Sequence, residues 1–205
     1  MRRLDLRLIV ITDAALAAPV AVDDVVQLAL EAGAPAIQLR DKNATARALA
    51  DHARTLLPAV RAAGARLFIN DRIDVALAVG ADGVHLGPHD IPVAAARRIA
   101  PADFLIGYST DDPDLARRAR DDGASYIGCG AVFGTTTKRD LGDERIGIDR
   151  LQLVANAVDI PVIAIGGITA ENAARVRAAG AAGVAVAGAI MAATDPAAAT
   201  RALLA

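Results

Sequence analysis

Eight short, predominantly aliphatic runs recur along the chain, at 8–12, 36–40, 67–70, 83–86, 105–109, 126–130, 162–166 and 184–187. None shows the strict apolar–polar alternation of a strand with one face in water. Strands apolar throughout are covered on both sides, which is the condition of a parallel sheet under helices. The stretches between them, such as 23–32, 45–62, 112–122 and 170–179, carry Ala, Leu and Arg at helical spacing. Several of these stretches stop at a glycine, Gly33, Gly64, Gly80, Gly123 or Gly180, the residue that most easily takes the left-handed conformation closing a helix. Strand and helix in regular alternation predict an α/β fold. Eight repeats favour closure into a (β/α)8 TIM barrel over an open doubly wound sheet, which more often has five or six strands. A single compact barrel domain is therefore expected over 1–205, with short connections. One connection, 131–149 after the sixth run, is far longer than the rest, and a long loop in a compact domain is usually functional.

Composition narrows what such a barrel does. Hydrophobic residues make up 54% of the chain but aromatics only 2%, so the core must be aliphatic. A net charge of -2 with acidic and basic residues interspersed gives no basic face for nucleic acid. The charged start Met1-Arg2-Arg3, followed by Asp5 and Arg7, does not make a signal-peptide core. The longest uncharged stretch, 178–194, is rich in Gly and Ala and falls short of a membrane span. The lone Cys129 excludes an intrachain disulfide and suits a reducing compartment. The expectation is a cytoplasmic protein, with neither nucleic acid nor membrane as partner and with homo-oligomerisation left open.

Barrel chemistry sits at the carboxyl ends of the strands, and the polar residues of this chain cluster there. The second run leads into Gln38, Leu39, Arg40, Asp41 and Lys42, the third into Asn70-Asp71, and the fourth into His85 and Asp90. The fifth ends at Ser109-Thr110 and the sixth leads to Thr135, Thr136, Thr137 and Lys138. The seventh ends at Gly166-Gly167 and the eighth at Ala187-Gly188. The basic residues number 22, of which only Lys42 and Lys138 are lysines. A chain that uses arginine for ordinary positive charge has placed its two compact ammonium groups in two of these clusters, where each suits a point contact to an anion. Bland readings compete. Asn70, Asp71, Asp90, Ser109 and Thr110 could each cap the helix that follows, and His85 could be a satisfied core histidine. Against them, the carboxylates Asp71 and Asp90 on neighbouring strand ends offer the hard oxygen donors Mg2+ prefers. The glycines after the seventh and eighth runs occupy the usual phosphate position of the fold. A metal-bridged diphosphate beside a separate monophosphate points to a joining reaction with pyrophosphate as leaving group.

The segments IQLRDK, FINDRIDVALAVGADGVHLG, YSTDDPDLARRARDDGASYIGCG, TTTK and PVIAIGGITAENAARVRAAGAAGVAVAGAI together resemble the thiamine phosphate synthase family, from about residue 8 to 193. The resemblance implies a transferase of thiamine biosynthesis. It would join 4-amino-2-methyl-5-hydroxymethylpyrimidine diphosphate to a thiazole phosphate, with Mg2+ and by a dissociative route. It assigns Gln38, Leu39, Arg40, Asp41, Lys42, Asn70, Ser109 and Lys138 to the pyrimidine diphosphate. Thr135, Thr136, Thr137, Gly167, Ala187 and Gly188 go to the thiazole phosphate, and Asp71 and Asp90 to the metal. The chain departs from the family's habit in Ala131 and Gly134, where proline is common, in Pro88-His89, where Gln-Glu is common, and in Gly188, where serine is usual. The loss of proline predicts a looser loop. A thiazole tautomerase of the same fold, which needs a proton-transferring residue and no diphosphate clamp, is one alternative. A non-catalytic barrel that binds a phosphorylated ligand is another.

Overall fold

The structure, a computed structural model, describes residues 4–134 and 145–205. Its strands are β1 (Leu8–Ile11), β2 (Ala36–Leu39), β3 (Arg66–Asn70), β4 (Gly83–Leu86), β5 (Leu105–Ser109), β6 (Tyr126–Cys129), β7 (Val162–Ile165) and β8 (Gly183–Val186). They pair in sequence order and close, β8 against β1, into a parallel barrel. Ile9 stands opposite Ala36 on one side, and Leu8 opposite Val184 on the other.

The unbroken hydrophobicity of the strands divides into two cores. In β1, Leu8 and Val10 turn outward and pack with the helices, while Ile9 and Ile11 turn inward to meet Phe68, Tyr126, Ile163 and Ala185. Successive strand residues face opposite sides, so a strand buried on both faces has no position left for a polar residue until its end. Cutting Ile9, which is 1% exposed, back to Ala would cost about 2–5 kcal/mol.

The outer layer comprises α2 (Val22–Glu31), α3 (Ala46–Ala62), α4 (Ile73–Val79), α5 (Val93–Ile99), α6 (Pro113–Asp121), α7 (Gly147–Ala157), α8 (Ala170–Ala178) and α10 (Pro196–Leu204). Two single-turn helices, α1 (Ala14–Ala17) and α9 (Gly188–Met191), are added at the mouth end of β1 and β8. Local chemistry sets several boundaries. The Asp112 carboxylate accepts from the N–H groups of Asp114 and Leu115 at the start of α6, and Pro113 takes the first helical position. Thr45 accepts from the Ala48 N–H at the start of α3. α4 ends at Gly80, whose φ of 70° is left-handed. Among the described residues, no helix is long and apolar enough to cross a membrane.

Several strands stop one residue earlier than the apolar runs suggest. Thr12, Arg40, Gly130, Gly166 and Ala187 all lie just beyond a strand. At the rim the next strand ends as well, so the ladder has no partner to continue with, and these residues are released into the loops of the mouth.

Candidate active site

A cavity of about 630 Å³ opens at the carboxyl ends of the strands and descends into the barrel, within the size range of small-ligand sites. Ile9, Ile163 and Ala185 line its floor; Gln38, Arg40, Asn70, His85 and Ser109 stand on its wall; Gly167, Ala187 and Gly188 lie on the opposite wall. Residues more than 140 positions apart in sequence thus share one chamber.

Arg40 is held by a residue that the sequence did not single out. Thr12, 1% exposed, accepts from the Arg40 N–H at 2.9 Å and donates from its hydroxyl to the Arg40 carbonyl at 3.2 Å. That two-way clamp fixes the backbone where the chain leaves β2. Gln38 is buried at 4% exposure and faces the cavity, whereas its neighbour Leu39 points to the other side of the sheet and is buried among the helices. Asp41 serves its own turn, accepting from the N–H groups of Asn43 and Ala44. The contiguous run 38–42 therefore splits into side chains that reach the mouth and side chains that build it.

Asp71 and Asp90 come together. Asp71 is the one non-glycine residue among those described with a left-handed backbone, φ 63°, a conformation that Asp and Asn tolerate better than other side chains. Its N–H donates to the His85 carbonyl at 2.8 Å. Burial first, then the adjacent Asp90 carboxyl, pushes the Asp71 carboxyl above the usual carboxylate range, while Lys42 and Arg40 pull it back down. Asp90 accepts from the Gly87 N–H at 2.6 Å. Neither aspartate caps a helix: the residues at those positions are Arg72 for α4 and Pro92 for α5, neither with a side-chain cap. Ser109 and Thr110 do not cap α6 either, since Asp112 does; Thr110 instead accepts from the Asp112 N–H. Two carboxylates drawn together in a half-buried site, with cations nearby, fit a divalent hard cation that brings its remaining oxygen ligands from water and phosphate.

His85 is satisfied on both ring nitrogens. Nδ1 lies 2.9 Å from the Tyr126 hydroxyl and Nε2 2.8 Å from Ser109 Oγ. Tyr126 is a wall residue that the sequence left unmarked, because a lone tyrosine opening an apolar run reads as core. Burial drives its hydroxyl strongly upward, so it is a neutral phenol.

On the far wall the chain after β6 is tied to the end of β7. The Val132 N–H donates to the Ile165 carbonyl at 2.9 Å and the Phe133 N–H to the Gly166 carbonyl at 3.0 Å. The start of the long loop is thus anchored despite Ala131 and Gly134. Arg175 lies over the Phe133 ring at 5.2 Å. Arg145, also absent from the expectations, adds a cation to the cavity wall. Thr135, Thr136, Thr137 and Lys138 lie outside the described residues.

Cations, a carboxylate pair and bare glycine backbone around one mouth define an enzyme of the (β/α)8 class that handles phosphorylated small molecules. The family model for thiamine monophosphate synthase matches residues 8–190, and the chain belongs to that family. It is 51% identical over 194 residues to the thiamine-phosphate synthase of Roseiflexus castenholzii, covering 95% of this chain and 85% of that one. It is 48% identical over 195 residues to that of Haloarcula marismortui, covering 94% and 92%. The solved thiamine phosphate pyrophosphorylase of Pyrococcus furiosus superposes with a TM-score of 0.87 at 43% identity, covering 97% of this chain and 93% of that chain. A 3-hexulose-6-phosphate synthase, at 20% identity, shares the fold with a TM-score of 0.72.

Proposed function

We propose that this chain joins 4-amino-2-methyl-5-hydroxymethylpyrimidine diphosphate to a thiazole phosphate and releases pyrophosphate. The observation that carries the reading, beside family membership, is the meeting of Arg40, Lys42 and the Asp71–Asp90 pair at the rim of a chamber whose opposite wall is Gly167, Ala187 and Gly188. One side suits a diphosphate with its counter-cation and the other a single phosphate.

In this reading Gln38, Asn70 and Ser109 hold the pyrimidine diphosphate, with Arg40, Lys42 and Lys138 on the diphosphate itself. Thr135, Thr136, Thr137, Gly167, Ala187 and Gly188 hold the thiazole phosphate. Leu39 and Asp41 shape the strand end, packing behind it and closing its turn. Asp71 and Asp90 would hold Mg2+, which when bound supplies charge neutralisation for the diphosphate.

The carbon–oxygen bond to the diphosphate breaks and its electron pair leaves with the diphosphate. The aminopyrimidine bears the resulting cation at its exocyclic carbon. The thiazole nitrogen then gives its lone pair to that carbon, leaving a thiazolium. No proton has to leave a reacting carbon, so no general base is needed. The work of the protein is electrostatic: Arg40, Lys42 and Lys138 stabilise charge growing on the departing oxygen. The apolar floor of Ile9, Ile163 and Ala185 excludes water from the cation. The proposed setting is the cytoplasm; the Cys129 thiol, buried and pushed up to about 12, is unreactive there.

Single-turnover mixing of both substrates with Mg2+, followed by pyrophosphate release, tests the proposal. Stoichiometric release together with thiamine phosphate is the expected result. No release would overturn it, and isomerisation of a thiazole carboxylate phosphate without any pyrimidine diphosphate would replace it with the tautomerase reading.

A further inference from the structure

The contacts around His85 have a direction. Tyr126 is 1% exposed, and among the described residues its hydroxyl has one hydrogen-bonding neighbour, His85 Nδ1 at 2.9 Å. A buried hydroxyl must place its proton on an acceptor or forfeit a hydrogen bond. Nδ1 is the acceptor within reach, so it carries a lone pair and not a hydrogen. In a neutral imidazole the hydrogen is then on Nε2. That N–H donates to Ser109 Oγ at 2.8 Å. Ser109 accepts from the imidazole, and its own proton is left to point elsewhere, on the wall of the cavity.

The backbone around the ring is cut to keep this arrangement. A Cβ on Gly107, in β5, would lie 2.2 Å from Tyr126 Cζ and 2.5 Å from His85 Nδ1. A Cβ on Gly128, in β6, would lie 2.9 Å from His85 Cε1. Those separations are shorter than carbon contacts allow, so the next two strands of the barrel, β5 and β6, each carry glycine where the imidazole stands. The Tyr126 ring is itself held edge-on by Phe68, 5.5 Å between centroids at 80°.

We propose that Tyr126 and His85 are positioning residues that fix Ser109 as a hydrogen-bond donor toward the ligand, so that this strand end selects an unprotonated acceptor atom. The proposal rests on the synthase reading for the identity of the ligand, the pyrimidine diphosphate. The acceptor is one of its diphosphate oxygens or an unprotonated ring nitrogen. With the tautomer reversed, Ser109 would spend its proton on His85 and could only accept.

The first test needs no substrate. The chain has three histidines, His52, His85 and His89, so a 15N-histidine-labelled sample gives a readable NMR spectrum. The expected spectrum has the His85 hydrogen on Nε2 and a bare Nδ1, and Tyr126→Phe shifts it toward the other tautomer. A hydrogen on Nδ1 in the wild type, or an unchanged spectrum in the variant, overturns the proposal whatever the enzyme catalyses. The second test is kinetic. Tyr126→Phe, which removes one oxygen and keeps the ring, should lower kcat/KM for the pyrimidine diphosphate about tenfold and leave KM for the thiazole phosphate unmoved. Combined with Ser109→Ala it should add nothing further, because it acts through Ser109; additive losses overturn the proposal. Inhibition separates the two acceptors. Weaker inhibition of the variant by inorganic pyrophosphate places the contact on the diphosphate, weaker inhibition by the pyrimidine alcohol places it on the ring, and no change in either refutes the relay. A wild-type enzyme that forms no thiamine phosphate would sink the synthase reading alone, leaving the tautomer result to stand or fall separately.

Discussion

Gly188→Ser adds a hydroxyl at a position where this chain has no side chain, and the structure has room for the added Cβ. Gly188 is not in the left-handed region, and an added Cβ would meet only Leu16 Cδ1, at 3.9 Å, an ordinary contact. The substitution therefore carries no strain and gains a few tenths of a kcal/mol of helix propensity in α9. If the thiazole phosphate sits against this strand end, the new hydroxyl gives it one more donor. A hydrogen bond to a charged group contributes about 1.5–3 kcal/mol when fully formed, roughly ten- to a hundredfold in affinity as the upper bound. Water already solvates a phosphate at an open mouth, so the net gain should be about three- to tenfold in KM for the thiazole phosphate. With the pyrimidine diphosphate across the chamber, as proposed, its KM should move less than about twofold. Gly167→Ala is the counterpart on the same wall. Gly167 has φ 65°, and its Cβ would come within 2.9 Å of the Gly134 carbonyl oxygen and 3.0 Å of Phe133 Cβ. Left-handed strain alone costs about 1–2 kcal/mol, so this variant should raise KM for the thiazole phosphate and lower Tm. Steady-state kinetics with each substrate varied in turn, beside thermal melts, reads all of this. A Gly188→Ser effect confined to the pyrimidine diphosphate would show that the two substrates are placed the wrong way round, and no effect on either would show that the phosphate does not lie against Gly188.

Asp71→Asn keeps a side chain suited to the left-handed backbone and removes the charge, so turnover should fall by about a hundredfold or more while the fold survives; unchanged activity and an unchanged Mg2+ titration would rule out the ligand role. Lys138→Arg keeps the charge and alters the geometry, and turnover should drop about tenfold, or ~1.4 kcal/mol; an unaltered rate would make this lysine incidental. Asp112 is held below its ordinary carboxylate range by the Leu115 and Asp114 N–H groups. The stability it confers is therefore present above its unfolded value of 3.8 and lost as pH falls through the folded value. Asp112→Ala should lower Tm at pH 7, with a deficit that shrinks as pH falls below 3.8, and a pH-independent difference would show that the carboxylate charge is not what stabilises α6.

The barrel was legible because its signal is repeated and local: eight apolar runs, helices between them, glycine at the joints. The Asp71–Asp90 carboxylate pair was legible as two residues but not as a shape. Asn70-Asp71 before an apolar stretch reads as a helix cap, yet the chain turns through a left-handed Asp71 and begins α4 after Arg72. That turn is held by the N–H of Asp71 on the His85 carbonyl, a bond between neighbouring strands. Thr12 was unreadable for the same reason. Its two bonds to Arg40 span 28 residues and exist only once β1 and β2 are paired. The same holds for Tyr126 and His85, 41 residues apart.

The run at the end of β2 is a different case, since the strand's period of two was available in the sequence. Gln38 facing the cavity requires Leu39 to face the helices, and Leu39 is 1% exposed in the outer core. In a five-residue run at a strand end, the side chains therefore divide between the mouth and the layer behind it. Its polar members alternate into the mouth, while Leu39 anchors the strand from behind and Asp41 closes the turn that carries Lys42 outward. Replacing Leu39 would disturb the site only by moving Gln38 and Arg40, which couples packing outside the barrel to chemistry within it.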